Sequence, residues 1–184
     1  IQLVYAGGLY LNRWKILAKI KQAVVNINKD GIKCILNIYT QSELSPKLIT
    51  SLHDGCNSFC NKAVDFNALQ LIYQKSDIAL HVESQELKYK YITRLSFSTK
   101  IIDCLSSGCA IIAIAWDEQT GFKYLKENNA AICISNEDDI EKYLRCIVND
   151  KALIKEYAKA AYNLAITHHK RSLVQSELYN TMCN

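Results

Sequence analysis

The chain reads as an α/β protein: an open, mostly parallel sheet of about six strands, helices on both faces, and a helical C-terminal quarter. Three observations predict this. Short apolar runs alternate with stretches whose apolar residues recur at helical spacing, and strands separated by helices pair in parallel through right-handed crossovers. The run AIIAI at 110–114 is apolar throughout, as in a strand covered on both faces. After residue 138 only helical periodicity remains.

Gln2–Ala6 (QLVYA) is a strand ending at Gly7-Gly8. Asn12 to Ile27 is a helix with Ile16, Ile20, Ala23, Val24 and Ile27 on one face, and Asp30-Gly31 turns the chain. Cys34–Tyr39 is the second strand. Ser45 caps a helix that begins with Pro46, a residue suited to the first helical position. A weaker strand follows near Asn57–Cys60, a short helix at Asn67–Gln74, and a fourth strand at Ile78–Val82. Glu83 to Phe97 reads as a long polar loop. The next helix, Thr99 to Ser107, has Ser96 and Ser98 as candidate caps and Ile101, Ile102 and Leu105 as its stripe. Gly108 stops it, because glycine takes the left-handed conformation after a helix without steric cost. Ala110–Ile114 is the fifth strand, Gly121–Glu127 a short helix and Ala131–Ile134 the sixth strand. Helices at Asp138–Asn149, around Leu153–Ala165, and at Ser172–Thr181 close the chain.

Composition sets outer limits. At 184 residues the chain is long enough for one domain with its own core. With 49% hydrophobic and 22% charged residues it is globular rather than disordered. The net charge of +4 suits an anionic ligand, or loose contact with an acidic membrane surface, and is too small and scattered for nucleic acid. No apolar run has the length of a membrane span and no signal-peptide pattern is present. The chain starts in mid-strand and its only methionine is Met182, so we expect a piece of a longer protein with an N-terminal part removed. The eight cysteines lie mostly in apolar patterns; Cys56 and Cys60 form a lone CxxxC, and no second close pair completes a zinc set. Such usage fits a reducing, cytoplasmic compartment, and no metal is expected.

In open parallel sheets ligands bind beyond the carboxyl ends of the strands. Three segments converge there: Gly7-Gly8, the loop Asn61–Val64, and Glu83–Lys100, which leads into a helix N-terminus. Such an N-terminus attracts anions through its free N–H groups and dipole. Lys100 adds a cation in the first turn. The segments point together to a phosphate-bearing ligand, although Lys100 and Asp103 alone would equally suit a solvated helix face. His81 reads as a strand histidine rather than a catalyst, Asp77 as a turn residue, and His168-His169 as complements to a helix dipole.

The order YAGGL, ILNIY, LIYQKSDIALHVES and STKIIDCLSSGCAIIA resembles the C-terminal half of a GT-B glycosyltransferase, most like glycosyltransferase family 4, over nearly the whole chain. The resemblance implies that residues 1–184 form one Rossmann-like domain binding a nucleotide diphosphate sugar. A missing N-terminal domain would hold a glycan or lipid-linked acceptor, catalysis would occur between the two, and the final helix would cross back toward the absent half. It further implies hexosyl transfer without a metal, as in polysaccharide biosynthesis, by a cytoplasmic protein peripheral to the inner face of the membrane. This fragment alone would be inactive.

The resemblance also carries residue roles. The family's two glutamates fall on Leu95, which cannot serve, and Asp103, which can hold ribose hydroxyls; Glu83 or Glu86 could replace the first. Its phosphate-binding amides fall on Phe97, Ser98 and Thr99. Its glycine loop falls on Gly7, Gly8 and Leu9, where Gly8 replaces a frequent Arg and Arg13 a frequent Lys. Lys100 and Arg94 compensate as phosphate cations. Lys62, where the family often has Gly, lies near the base pocket, in the same loop as Val64. No catalytic residue is assigned. The alternatives are a sugar-nucleotide epimerase of the same fold and a non-catalytic nucleotide-binding module, the latter favoured by Leu95.

Overall fold

The computed structural model describes residues 1–183. Its strands are β1 (Gln2–Ala6), β2 (Ile35–Thr40), β3 (Ser58–Lys62), β4 (Ile78–Val82), β5 (Ala110–Ile114) and β6 (Ile132–Ile134). Its helices are α1 (Arg13–Ile27), α2 (Pro46–Leu52), α3 (Phe66–Gln74), α4 (Leu87–Thr93), α5 (Thr99–Ser106), α6 (Thr120–Glu127), α7 (Ile140–Asn149), α8 (Lys151–His168) and α9 (Arg171–Cys183). All six strands are parallel, in the order β3-β2-β1-β4-β5-β6. The chain moves outward from β1 to β3, then returns across β1 to lay down β4, β5 and β6. The winding direction therefore reverses between β1 and β4, where a crevice opens at the carboxyl ends of the strands.

Side-chain alternation along the strands explains the two-sided cover. Leu3, Tyr5, Leu36, Ile38 and Leu80 face Ile16, Leu17, Ile20 and Val24 of α1 and Leu144 and Ile147 of α7. Val4, Ala79, Ile111 and Ala113 face Tyr73 of α3, Ile101 and Leu105 of α5, Phe122 of α6, and Ala161 and Leu164 of α8. Strands β4 and β5 are buried at every position, which is why neither alternates in sequence.

Local signals fix the ends of the elements. Ser45 Oγ accepts from the Leu48 amide at the start of α2, Asp65 caps α3, and Asp150 caps α8 by accepting from Ala152 and Leu153. Gly108 takes φ 79° just past α5. Asp77 accepts from the Gln2 amide at 2.7 Å and so fastens the start of β4 to that of β1.

The structure departs from expectation in three places. The span Glu83–Phe97 is not all loop: it contains α4, whose only buried residue is Thr93. A helix that buries no apolar stripe leaves no core-facing periodicity to read. The stripe of α5 is Ile101, Cys104 and Leu105, with Ile102 only half-buried. Cys146 is exposed, because Ile140, Leu144 and Ile147 take the inward face of α7. No residue from Arg171 to Met182 is buried, and among the described residues no helix is long and apolar enough to cross a membrane.

Candidate functional site

Beyond β1, β2 and β3 the sheet opens into a cleft of about 250 Å³, lined by Gly7, Gly8, Tyr10, Tyr39, Val64, Lys100 and Asp103, among others. It lies beside the β1/β4 reversal, where the strand order itself makes room. A larger hollow, about 450 Å³, lies at the opposite end of the sheet around Lys33, Asp77 and Lys155, where the strands begin. Open parallel sheets do not bind their ligands at that end.

Gly7 positions the cation. Its amide donates to the Tyr39 carbonyl at 2.9 Å, which holds the backbone as an extension of β1. A side-chain carbon on Gly7 would collide with the Lys100 ammonium, so the missing Cβ is the space that Lys100 occupies. The ammonium lies 5.5 Å from the centroid of the Tyr5 ring and 5.9 Å from that of Tyr10. Both contacts have cation–π geometry. Burial lowers its pKa, and the charge of Arg13 adds to that. Among the described residues no carboxylate pairs with Lys100, so its charge is open to an anion.

Asp103 stands one turn further along α5, on the same side as Lys100 and with its carboxylate at the cleft wall. Partial burial raises its pKa, opposed by Lys100. The Ile101 amide donates to the Ser98 carbonyl at 3.0 Å, while the amides of Thr99 and Lys100, the first two of α5, have no hydrogen-bond partner among the described residues. Ser98 is the cap residue, yet its side chain accepts no hydrogen bond from them. The N-terminus of the helix is therefore left to other acceptors.

Arg13 is placed differently. Its Nε donates to one carboxylate oxygen of Glu83 and its Nη2 to the other, each at 2.9 Å, within a buried site. The guanidinium also lies 4.6 Å from the Tyr10 ring centroid, and Nη1 is buried without a partner. This fork ties the start of α1 to the end of β4 beneath the glycine loop. Its charge is matched by Glu83, so Arg13 braces the floor rather than lining the cleft. Glu86 is likewise engaged, accepting from Asn12 and paired with Lys15. Neither Glu83 nor Glu86 stands free to replace the family's first glutamate, and Leu95 at that position is 85% exposed.

Of the other sequence-predicted residues, Val64 lines the cleft, while Lys62 is exposed at the end of β3. Arg94 caps α4 and reaches Glu118 at 3.6 Å. Phe97 packs edge-on against Tyr124, whose hydroxyl lies 2.7 Å from His169 Nε2. Thr99 begins α5. Sequence reasoning missed Tyr10, Tyr39, Gln41 and Leu69, all of which line the cleft. Tyr39 and Gln41 could have been found as residues at the carboxyl end of β2. His81 is buried beneath this region with Nε2 unpartnered; burial and the charges of Lys100 and Arg13 push its pKa down to about 3, so it stays neutral at ordinary pH. Among the described residues no three His, Cys, Asp or Glu side chains converge as metal ligands.

The fold and this cleft can be set beside known proteins. WaaG, a glycosyltransferase involved in lipopolysaccharide biosynthesis, superposes with TM-score 0.62 at 16% identity, covering 96% of this chain and 45% of its own. The C-terminal domain of LpcC, a group 1 family glycosyl transferase from Francisella tularensis, gives 0.64 at 17% identity, covering 92% and 86%. The pneumococcal O-GlcNAc transferase GtfA, solved with UDP and GlcNAc, gives 0.65 at 15% identity, covering 97% and 35%. These likenesses show the fold, and the chain spans less than half of WaaG. No curated protein sequence matches it. The glycosyl transferase-like family matches residues 36–173, from β2 through α8 and into the start of α9, which takes in Val64, Lys100 and Asp103 of the cleft. By that match over most of its length, the chain belongs to the glycosyl transferase-like family of glycosyltransferases.

Proposed function

We propose that this domain binds the donor of a glycosyltransferase, a nucleotide diphosphate sugar, in the cleft beyond β1, β2 and β3. The observation that carries the reading is the pairing of Lys100, without a carboxylate partner, with Asp103 one turn along the same helix at one cleft wall. The diphosphate meets the N-terminus of α5 and the Lys100 ammonium. Asp103 accepts from the ribose hydroxyls, since a carboxylate can take two at once. Tyr39, Val64 and Leu69 offer an apolar bed for the base. When the glycosidic bond to the donor breaks, negative charge grows on the departing diphosphate, and a fixed ammonium and helix terminus stabilise it without reorganising. The UDP held by GtfA supports the donor class.

The whole protein then transfers a hexosyl unit to a glycan or lipid-linked acceptor held by a second, N-terminal domain, without a metal. We place it close to family 4, in polysaccharide biosynthesis, as a cytoplasmic protein peripheral to the membrane. The test is a thermal-shift screen of this chain against UDP, GDP, ADP and CMP. A ligand present at 100 times its dissociation constant stabilises by about 2.7 kcal/mol, so one diphosphate is expected to raise the melting temperature clearly above the others. A screen in which none does refutes the reading.

A further inference from the structure

Residues Arg94 to Phe97 join α4 to α5 and lead the chain into the amides of Thr99 and Lys100. All four are exposed, so no side chain of this segment is held in the core. A connection that buries nothing takes its path from its backbone hydrogen bonds. Here they run to the start of α6. The Arg94 carbonyl accepts from the Thr120 amide at 2.9 Å and from the Thr120 hydroxyl at 2.9 Å. The Ser96 carbonyl accepts from Gln119 Nε2 at 2.6 Å. Phe97 adds its edge-on contact with Tyr124 of the same helix.

Gln119 is the buried member of this contact. It stands in the loop after β5, between exposed Glu118 and exposed Thr120, yet none of its own surface reaches solvent. Both ends of its amide are used. Oε1 accepts from the Phe122 amide at 2.6 Å and so caps α6, while Nε2 donates to Ser96. A backbone N–H only donates and a carbonyl only accepts, so the two partners fix which way the amide points. Capping alone does not call for glutamine, because Ser, Thr, Asp and Asn are the usual caps. Glutamine adds a donor on a longer stem that reaches beyond the helix end. Two residues on, a side-chain carbon at Gly121 would collide with Ile101 of α5. The first turn of α6 therefore holds the segment before α5 by hydrogen bonds and the first turn of α5 by packing.

We propose that Gln119 is a positioning residue of the donor site. By fixing the Ser96 carbonyl it sets the direction in which α5 begins. It thereby aims the Lys100 ammonium, and the Thr99 and Lys100 amides that have no partner among the described residues, at the donor's diphosphate. The role rests on the donor reading given above. Gln119 is not among the residues that line the cleft and acts only through the segment it holds. Donors fixed in advance stabilise a departing diphosphate without reorganising, and a loosened segment forfeits that advantage. A carboxylate at this position would still cap α6 but would turn an acceptor toward the Ser96 carbonyl, which is an acceptor itself.

Two variants separate anchoring from capping. Gln119→Ser keeps an oxygen that caps α6 and is too short to reach Ser96. Gln119→Glu keeps an acceptor for the Phe122 amide, favourable at a helix N-terminus, and removes the donor; Gln119→Ser carries the test if the added buried carboxylate prevents folding. Hydrogen exchange followed by NMR on the nucleotide-free chain is expected to quicken about tenfold at Thr120 and Ile101, whose amides donate to Arg94 and Ser98, and to stay at the wild-type rate at Phe122. Calorimetric titration then compares whichever of UDP, GDP and ADP binds the wild type with its own nucleoside. The variants are expected to bind the diphosphate about tenfold more weakly and the nucleoside within about twofold of wild type. A residue that served only the stability of the domain would not split the two ligands. Equal losses for both, wild-type affinity for the diphosphate, unchanged exchange at Thr120 and Ile101, or exchange quickened as much at Phe122 overturns the proposal. If the wild type binds none of the three diphosphates, the donor reading fails and this role fails with it. If the wild type binds one and the variants match it, only the role of Gln119 fails.

Discussion

At the residue scale the proposed donor site rests on two side chains of α5, to which the proposal gives separable jobs. Lys100→Ala removes the only cleft cation that lacks a carboxylate partner among the described residues. Charge-assisted hydrogen bonds contribute roughly 1.5–3 kcal/mol, so calorimetric titration is expected to show nucleoside diphosphate affinity falling about tenfold or more and nucleoside affinity hardly changing. Equal losses for the two would remove Lys100 from the phosphate site. Asp103→Asn keeps the size and removes the charge. The expected loss for a ribonucleoside diphosphate is about 1 kcal/mol, roughly fivefold, with no loss for its 2′-deoxy analogue beyond what the wild type already shows. If wild type binds both sugars alike and the variant matches it, Asp103 is a surface carboxylate. The sequence placed both residues on one face by spacing alone. It could not show that Arg13 differs from Lys100, because both are basic residues near a phosphate loop. Only the buried carboxylate of Glu83, 70 positions away, makes Arg13 a matched cation while Lys100 has no carboxylate partner among the described residues.

At the element scale two turns can be tested. Gly7 ends β1 against Lys100, and the atom in the way of a methyl group there is the tip of a flexible side chain. Gly7→Ala is therefore expected to push the ammonium aside, weakening diphosphate binding while leaving the melting temperature within a degree or two of wild type; a large loss of stability would show that the backbone, not Lys100, needs the glycine. The second turn leads into edge strand β3. Asp54 accepts from the amides of Cys56, Asn57 and Ser58, at 3.0, 2.7 and 3.0 Å. Burial alone would raise its carboxyl, but these donors outweigh it and bring the pKa down to about 2, from 3.8. A pKa depressed by folding stabilises the folded state above the unfolded value, and that contribution is lost as pH falls from about 4 to about 2. Asp54→Ala is thus expected to melt lower than wild type at pH 7 and to approach it near pH 2. A gap independent of pH would mean that the turn does not depend on the ionised form. Periodicity finds the helices that bury an apolar stripe, while α4 escapes it because its apolar residues face outward and only Thr93 is buried.

At the scale of the whole molecule, the domain covers 45% of WaaG and 86% of the LpcC C-terminal domain. If these residues bind the donor but do not hold the acceptor, as proposed, incubation of the purified chain with a nucleotide sugar and acceptors is expected to yield neither transfer nor epimerised sugar; measured turnover would show that the cleft suffices. The sequence by itself determined the alternation of strand and helix, the parallel sheet, and the helix stop at Gly108. These follow from local periodicity and backbone preference, which neighbouring residues encode. It also placed Lys100 and Asp103, because their spacing lies within one helix. The tertiary structure alone decided the strand order, the commitment of Arg13 to Glu83, the contribution of Tyr10 and Tyr39 to the cleft, and the outward turn of α4. Each of these depends on groups far apart in the chain, and whether a charge is free or matched, or an apolar face covered or bare, is settled only when the packed partners are in place.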